Sequence, residues 1–142
     1  MNVPVVVPDA SVLLKWSLDS AGEEDRERAL ALRHLWISGR HRIVLLSLWA
    51  YEVGNILGMK QPDLARELLA IYVGYHFEEE SAADLFGMIL GVMRTVRVTF
   101  YDAAYHCVAL KHRGTYITAD EKYVREALGI GHVIALKDWA LG

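Results

Sequence analysis

Four carboxylates in this sequence stand where chemistry is possible: Asp9, Glu52, Asp102 and Asp120. Asp9 ends the apolar run Val3 to Val7, and Asp120 follows another strand-like stretch, Thr115 to Thr118. In open α/β sheets ligands bind beyond the carboxyl ends of the strands, so both acids point at one crevice. Asp102 falls in the first turn of a helical stretch opened by Thr99. Glu52 lies inside another helix with Leu48 and Ile56 one turn away, and Asn55 follows three residues on. That spacing puts Glu52 and Asn55 on a partly apolar stripe rather than a solvated face. Two carboxylates ~5 Å apart repel by roughly 3 kcal/mol at an effective dielectric near 20. A group of them raises its own pKa values unless a cation intervenes. Hard oxygen ligands without cysteine select Mg²⁺ or Mn²⁺. One or two such ions activate a water and stabilise the leaving oxygen in phosphodiester cleavage.

Each acid also has a purely structural use. Asp9 can cap the helix after the first strand, and Asp102 can complete a capping box with Thr99. Thr118 with Glu121 forms another box pattern, which leaves Asp120 as a first-turn acid favoured by the helix dipole. Glu52 and Asn55 taken singly are ordinary helix residues. Their joint placement at one sheet edge is what favours a site. An interaction module whose acids bind a basic partner peptide is the rival without catalysis. A phosphoryl-accepting receiver needs an adjacent acid pair after strand one, and a haloacid-dehalogenase-type phosphatase needs D-x-D; position 11 is Ser11. Neither G-x-x-x-x-G-K-[ST] nor G-x-G-x-x-G occurs, so nothing cradles a nucleotide. His106 and His112 are six apart on one helix and share no metal easily; His106 reads as structural. Trp16, Trp36 and Trp49 read as core or interface, and Trp139 as a pin for the tail. Lys15, Arg94, Arg97 and Lys122 lie near the motifs, and each suits a phosphate contact or a solvated face equally.

The elements that carry these residues follow from periodicity. Val3 to Val7 has no polar alternation, which fits a strand buried on both faces of a parallel sheet. Ser11 to Leu18 reads as a short helix, Ser20 to Ser38 as a longer one, and Ile43 to Leu46 as a second buried strand. Ser47 is placed to cap a helix to about Met59, and Pro62 to open the next, to about Val73. Tyr75 to Glu79 is a candidate edge strand. Ser81 with Asp84 opens a helix to about Val96, and Thr99 with Asp102 one that ends near Arg113 with Gly114 as its stop. Thr115 to Thr118 is a third buried strand, Asp120 to Leu128 a helix, and His132 to Leu136 the last strand. Alternating strands and helices predict an α/β parallel sheet with helices on both faces.

The composition bounds the rest. A chain of 142 residues is one domain, 1–142. At 54% hydrophobic and 23% charged it is not disordered. A lone cysteine, Cys107, excludes a disulfide framework and multi-cysteine metal sites, and reads as a small buried hydrophobe. Against 18 acidic residues there are 15 basic ones, a net charge of −3, with no basic block to mark nucleic-acid binding. The start lacks a basic n-region, and no stretch approaches the ~18 apolar residues that span a bilayer. The expectation is a soluble cytoplasmic protein with no membrane partner. Leu85 to Met93 has no charged or polar side chain, so that helix is either wholly buried or packed on a partner.

The motifs Asp9-Ala10-Ser11-Val12, Tyr51-Glu52-Val53-Gly54-Asn55, Tyr101-Asp102-Ala103-Ala104-Tyr105 and Ile117-Thr118-Ala119-Asp120-Glu121-Lys122 resemble, in order and spacing, the signature of PIN domains in their VapC version. VapC proteins are the toxins of prokaryotic toxin–antitoxin pairs. The resemblance covers essentially the whole chain; Gly54, where alanine is usual, is its one small departure. It implies a single PIN domain, three-layer α/β/α with a mostly parallel, flavodoxin-like sheet. It also implies a Mg²⁺-dependent endoribonuclease, with Mn²⁺ as a possible substitute. By that resemblance Asp9, Glu52, Asp102 and Asp120 carry the catalytic metal site, and Ser11, Asn55 and Thr118 support it. The partners implied are an RNA substrate, a cognate antitoxin and a second copy in a homodimer. Water attack in line, with no histidine pair placed to use the ribose 2′-hydroxyl, leaves 3′-hydroxyl and 5′-phosphate ends.

Overall fold

The computed structural model describes residues 3–18 and 24–139. Five parallel strands form one sheet in the order β3-β2-β1-β4-β5: β1 Val5–Pro8, β2 Arg42–Leu46, β3 Glu78–Glu80, β4 Thr115–Thr118 and β5 Val133–Ala135. The chain starts at the centre, moves outward through β2 and β3, then crosses to the other side of β1 to lay down β4 and β5. The reversal between β1 and β4 opens a crevice at their carboxyl ends. In register, Pro8 is opposite Ile117, so Asp9 just after β1 and Thr118 at the end of β4 meet at that crevice.

The central strands β1, β2 and β4 are buried on both faces, as a parallel sheet covered by helices requires, whereas the edge strand β3 is largely exposed. Val6, Ile43, Leu45 and Ile117 point to one layer, with α1 (Ala10–Leu13), α2 (Glu24–Ile37), α3 (Trp49–Lys60) and α4 (Ala65–Gly74). Val5, Val7, Val44, Leu46 and Tyr116 point to the other, with α5 (Phe86–Thr95), α6 (Phe100–Lys111) and α7 (Glu121–Ala127). Crossovers to the two sides thus deposit their helices on opposite faces, which is what right-handed connections demand. The first layer is aromatic: Trp16 stacks on Trp36 and Tyr72 with centroids 6.1 Å away in each case. Its indole N–H donates to the Ala29 carbonyl at 2.8 Å. Trp139 is buried in the same layer and Cys107 in the other. Burial pushes the Cys107 thiol up to about 11, so it stays an inert thiol.

Several boundaries differ from the sequence expectation. The first strand is Val5–Pro8, because Pro4 and Val3 precede the paired residues. The helix after Asp9 is one turn, Ala10–Leu13, that tightens into a 3₁₀ turn, Leu14–Trp16. Of the stretch from Ser20, residues 20–23 lie outside the described residues. Ser47 does not cap α3: the N-cap is Leu48, without a side-chain bond, and Ser47 instead donates its N–H to the Glu80 carbonyl at 2.9 Å. Pro62 lies in a turn, and α4 begins at Ala65. The edge strand starts at Glu78, since His76 adopts φ 53° and turns the chain. Ser81 caps a 3₁₀ turn, Ala82–Leu85, before α5.

Gly114 is not the left-handed stop of α6. Arg113 is, with φ 53°, and the Arg113 and Gly114 N–H groups close the helix on the Leu110 and Ala109 carbonyls. The glycine is needed for space, since a Cβ there would lie 2.3 Å from the Val5 carbonyl oxygen. The stretch from Leu85 to Met93 is half buried: Leu85, Ile89 and Val92 face the core, while Phe86, Met88 and Leu90 are exposed. Among the described residues no helix is long and apolar enough to cross a membrane.

Candidate active site

Asp9 leaves β1 in extended conformation and caps α1, so its structural and chemical uses coincide. It is buried. Its Oδ1 accepts the Ser11 N–H at 3.0 Å and the Ser11 hydroxyl. Its Oδ2 accepts the Tyr116 phenol at 2.8 Å and the Thr118 hydroxyl at 2.6 Å. All four lone-pair positions of the carboxylate are therefore used. Ser11 Oγ also ties the end of β1 to that of β4 by accepting the Ala119 N–H at 3.1 Å, and Thr118 Oγ1 accepts the N–H of Asp120, two residues on, at 3.1 Å. Burial pushes the Asp9 carboxyl above its usual range, and the hydrogen bonds from Ser11, Thr118 and Tyr116 pull it back only in part.

The other three acids stand at helix starts around the same rim. Glu52 is in the first turn of α3, half-buried, and accepts the Tyr105 phenol. Asp102 is in the first turn of α6, where Thr99 Oγ1 accepts its N–H at 3.2 Å and donates to its carboxylate at 3.3 Å. Asp120 is itself the N-cap of α7, accepting the Tyr123 N–H at 3.1 Å. The Thr118–Glu121 box does not form, because Thr118 is inside β4 with its hydroxyl committed to Asp9. Asn55 stands apart from this bonded set: it is exposed and lines a cleft of about 440 Å³ with Leu48, Tyr51, Glu52 and Tyr101.

The acids sense one another. Burial first, and then the charges of Asp9 and Asp102, hold Glu52 above its ordinary value against the pull of Tyr105. Burial, then Asp120, raise Asp102, with Asp9 adding to the effect. Asp102 and Asp120 share a cleft of about 390 Å³ with Arg97, Thr99 and Lys122. Among the described residues no three acids, imidazoles or thiols converge as a ready-made metal cage. The donor chemistry nevertheless fits Mg²⁺ or Mn²⁺. All the candidate ligands are hard oxygens that repel one another, and Mg²⁺ keeps several waters and takes only one or two carboxylates. Three of the four donors to Asp9 are hydroxyls, which can rotate and free a lone pair.

Sequence reasoning assigned no role to two residues of the site, Tyr105 and Tyr116. Their rings stack at 6.0 Å and 9°, and their phenols donate to Glu52 and Asp9 respectively. Tyr116 carried a readable signal, a polar tip inside a buried strand that has to find a partner. His106 is structural. Its Nε2 faces the Gly131 carbonyl at 2.7 Å, which can only accept, so Nε2 carries the proton and Nδ1 accepts the Tyr123 phenol at 2.6 Å.

No protein-family model matches the chain, and a search of curated proteins finds no match. Solved structures share its fold. A toxin–antitoxin complex from Klebsiella pneumoniae contains a chain aligning with TM-score 0.64 at 17% identity, over 92% of this chain and 97% of that one. VapC20 of Mycobacterium tuberculosis, described as a toxin that cleaves the sarcin–ricin loop, aligns with TM-score 0.58 at 18% identity, over 80% of this chain and 87% of that one. PAE2754 from Pyrobaculum aerophilum aligns with TM-score 0.59 at 22% identity, over 95% and 90%. At these identities the likeness establishes the architecture.

Proposed function

We propose that this chain is a divalent-metal-dependent endoribonuclease of the PIN-domain, VapC type, the toxin of a toxin–antitoxin pair. The observation that carries the reading is the gathering of Asp9, Glu52, Asp102 and Asp120 at the topological switch of a fold that VapC20 shares. Four hard carboxylates, mutually repelling and placed where open sheets bind ligands, suit a cation and a phosphodiester.

The four acids would hold one or two Mg²⁺ ions between them, with Mn²⁺ as a substitute. When bound, the ion supplies a more acidic water and neutralises charge on the leaving oxygen. The chain's own residues set the geometry. Ser11, Tyr116 and Thr118 fix both oxygens of Asp9, and Tyr105 fixes one oxygen of Glu52. Thr99 and the Tyr123 N–H orient Asp102 and Asp120. Hydrolysis at such a site leaves 3′-hydroxyl and 5′-phosphate ends, because His106 is buried in structural bonds and offers no base for the ribose 2′-hydroxyl.

A cognate antitoxin that presents arginine to the acids is the expected inhibitor, since an Arg–carboxylate fork is the strong form of that contact. Self-association through the exposed face of α5 and residence in the cytoplasm complete the reading. Purified protein should cleave RNA in Mg²⁺ and stop in chelator, and end-labelling should find 5′-phosphates. A 2′,3′-cyclic phosphate product, or cleavage that persists in chelator, refutes it.

A further inference from the structure

Ser11 belongs to two places. Its hydroxyl is part of the Asp9 network, and its other side lines a separate cleft of about 170 Å³. Lys15 enters that cleft from the 3₁₀ turn after α1, and Lys60 from the last residue of α3. Among the described residues neither ammonium has a carboxylate partner. Two uncompensated cations drawn into one concavity repel each other, and the apolar walls of Leu14, Leu18 and Ile56 strengthen the field there. An anion is the group that settles such a place.

The cleft adjoins the carboxylates through both of its walls. Ser11 touches Asp9, and Ile56 is one turn from Glu52 on α3. At 1.5 Å rise per residue, Lys60 is about 12 Å along the helix from Glu52. The cleft that contains Asp102 and Asp120 has cations of its own, Arg97 and Lys122. An acidic centre with the Lys15 and Lys60 cleft beside it suits a polyanion that crosses the centre and needs charge neutralisation on the next part of its path.

Resting on the nuclease reading above, we infer that Lys15 and Lys60 bind a backbone phosphate of single-stranded RNA next to the phosphate held at the carboxylates. The contact positions the strand and reads no base. Continuity with the carboxylates favours RNA over an acidic protein segment as the occupant.

The test uses Asp9→Asn protein in Mg²⁺, so that the RNA stays whole, and follows binding of a labelled single-stranded RNA by fluorescence anisotropy between about 50 and 200 mM salt. Each phosphate neutralised contributes about 0.7 to the slope of log K against log salt for single strands, so Lys15→Gln with Lys60→Gln, which share one phosphate, should flatten that slope by about 0.7. Lys137→Gln, at a lysine paired with Glu121, should leave it unchanged. In otherwise native protein the double substitution should raise KM and leave kcat near its original value, with the same thermal midpoint. RNA binding with an unaltered slope in the double variant overturns the inference alone, and is also the result expected if an acidic protein segment is the true occupant. No RNA binding together with no cleavage by the native protein overturns the nuclease reading and this inference with it.

Discussion

Replacing Asp9 by asparagine and by alanine should separate stability from activity. Asparagine keeps an oxygen at the N-cap, where Asn and Asp are equally good acceptors for the Ser11 N–H. Its amide faces the Tyr116 and Thr118 hydroxyls, which can turn and accept. The weaker, uncharged bonds are offset because a buried charge that burial and its acidic neighbours disfavour is gone. The net change should stay within about 1 kcal/mol. Alanine loses the cap, worth about 1 kcal/mol. It also strands two buried hydroxyls at about 1–3 kcal/mol each, part of which the removed charge returns, for a net loss of about 2–4 kcal/mol. At an unfolding entropy near 2.1 cal/mol/K per residue, 142 residues translate 1 kcal/mol into roughly 3 °C. Asparagine should therefore move the midpoint by no more than about 3 °C and alanine lower it by about 7–14 °C. Thermal circular dichroism in chelator reads these values, and an RNA cleavage assay in Mg²⁺ should find both variants inactive. If asparagine unfolds as early as alanine, the hydrogen-bond reasoning is wrong; if it cleaves like the native protein, the assignment of Asp9 is wrong.

Other outcomes follow from single contacts. Gly114→Ala should cost at least about 2 kcal/mol in chemical denaturation, because the new methyl meets the Val5 backbone, whereas Gly58→Ala, with nothing within 4 Å, should gain up to about 1 kcal/mol. Burial lowers the His106 pKa, so the stability this neutral ring contributes is present above its unfolded value near 6.5 and is lost as pH falls through its folded value. His106→Gln should accordingly shrink the difference in thermal midpoint between neutral and mildly acidic buffer. Light scattering at micromolar concentration should give a particle of twice 16.0 kDa, and Leu90→Glu, one turn from Phe86 on the exposed face of α5, should return it to the single-chain mass.

What the sequence revealed depended on how locally each feature is encoded. β1 is an apolar run and β4 a short β-branched and aromatic one, each with an acid just beyond its carboxyl end, so both the strands and the acids beyond them were readable from neighbours alone. Thr99 and Asp102 were readable for the same reason, since a cap and its helix are three residues apart. The tyrosine donors were not. Tyr116 reaches Asp9 across 107 positions and Tyr105 reaches Glu52 across 53, and no local pattern encodes those pairings. Asp120 as N-cap was misplaced because Thr118 satisfies the same local rule, and only the strand pairing that commits Thr118 to Asp9 decides between them. Ser47 lost its capping role because α3 starts one residue later, after Leu48.

The edge strand β3 bears on how other proteins can approach this fold. It consists of three glutamates, a residue poorly suited to strands, yet each is engaged: Glu78 by the Arg42 guanidinium at 2.6 Å, Glu79 by the Trp49 indole N–H at 2.8 Å, and Glu80 by Lys111 and His112 at 3.1 and 2.8 Å. The margin is thus short, charged and held in place, and β5 at the other margin is also only three residues long. Such margins resist the addition of a foreign strand. Recognition by extending the sheet is disfavoured at both margins, which leaves the helical layers and the mouth of the crevice as the better surfaces for a protein partner, read through side chains rather than through a shared backbone ladder.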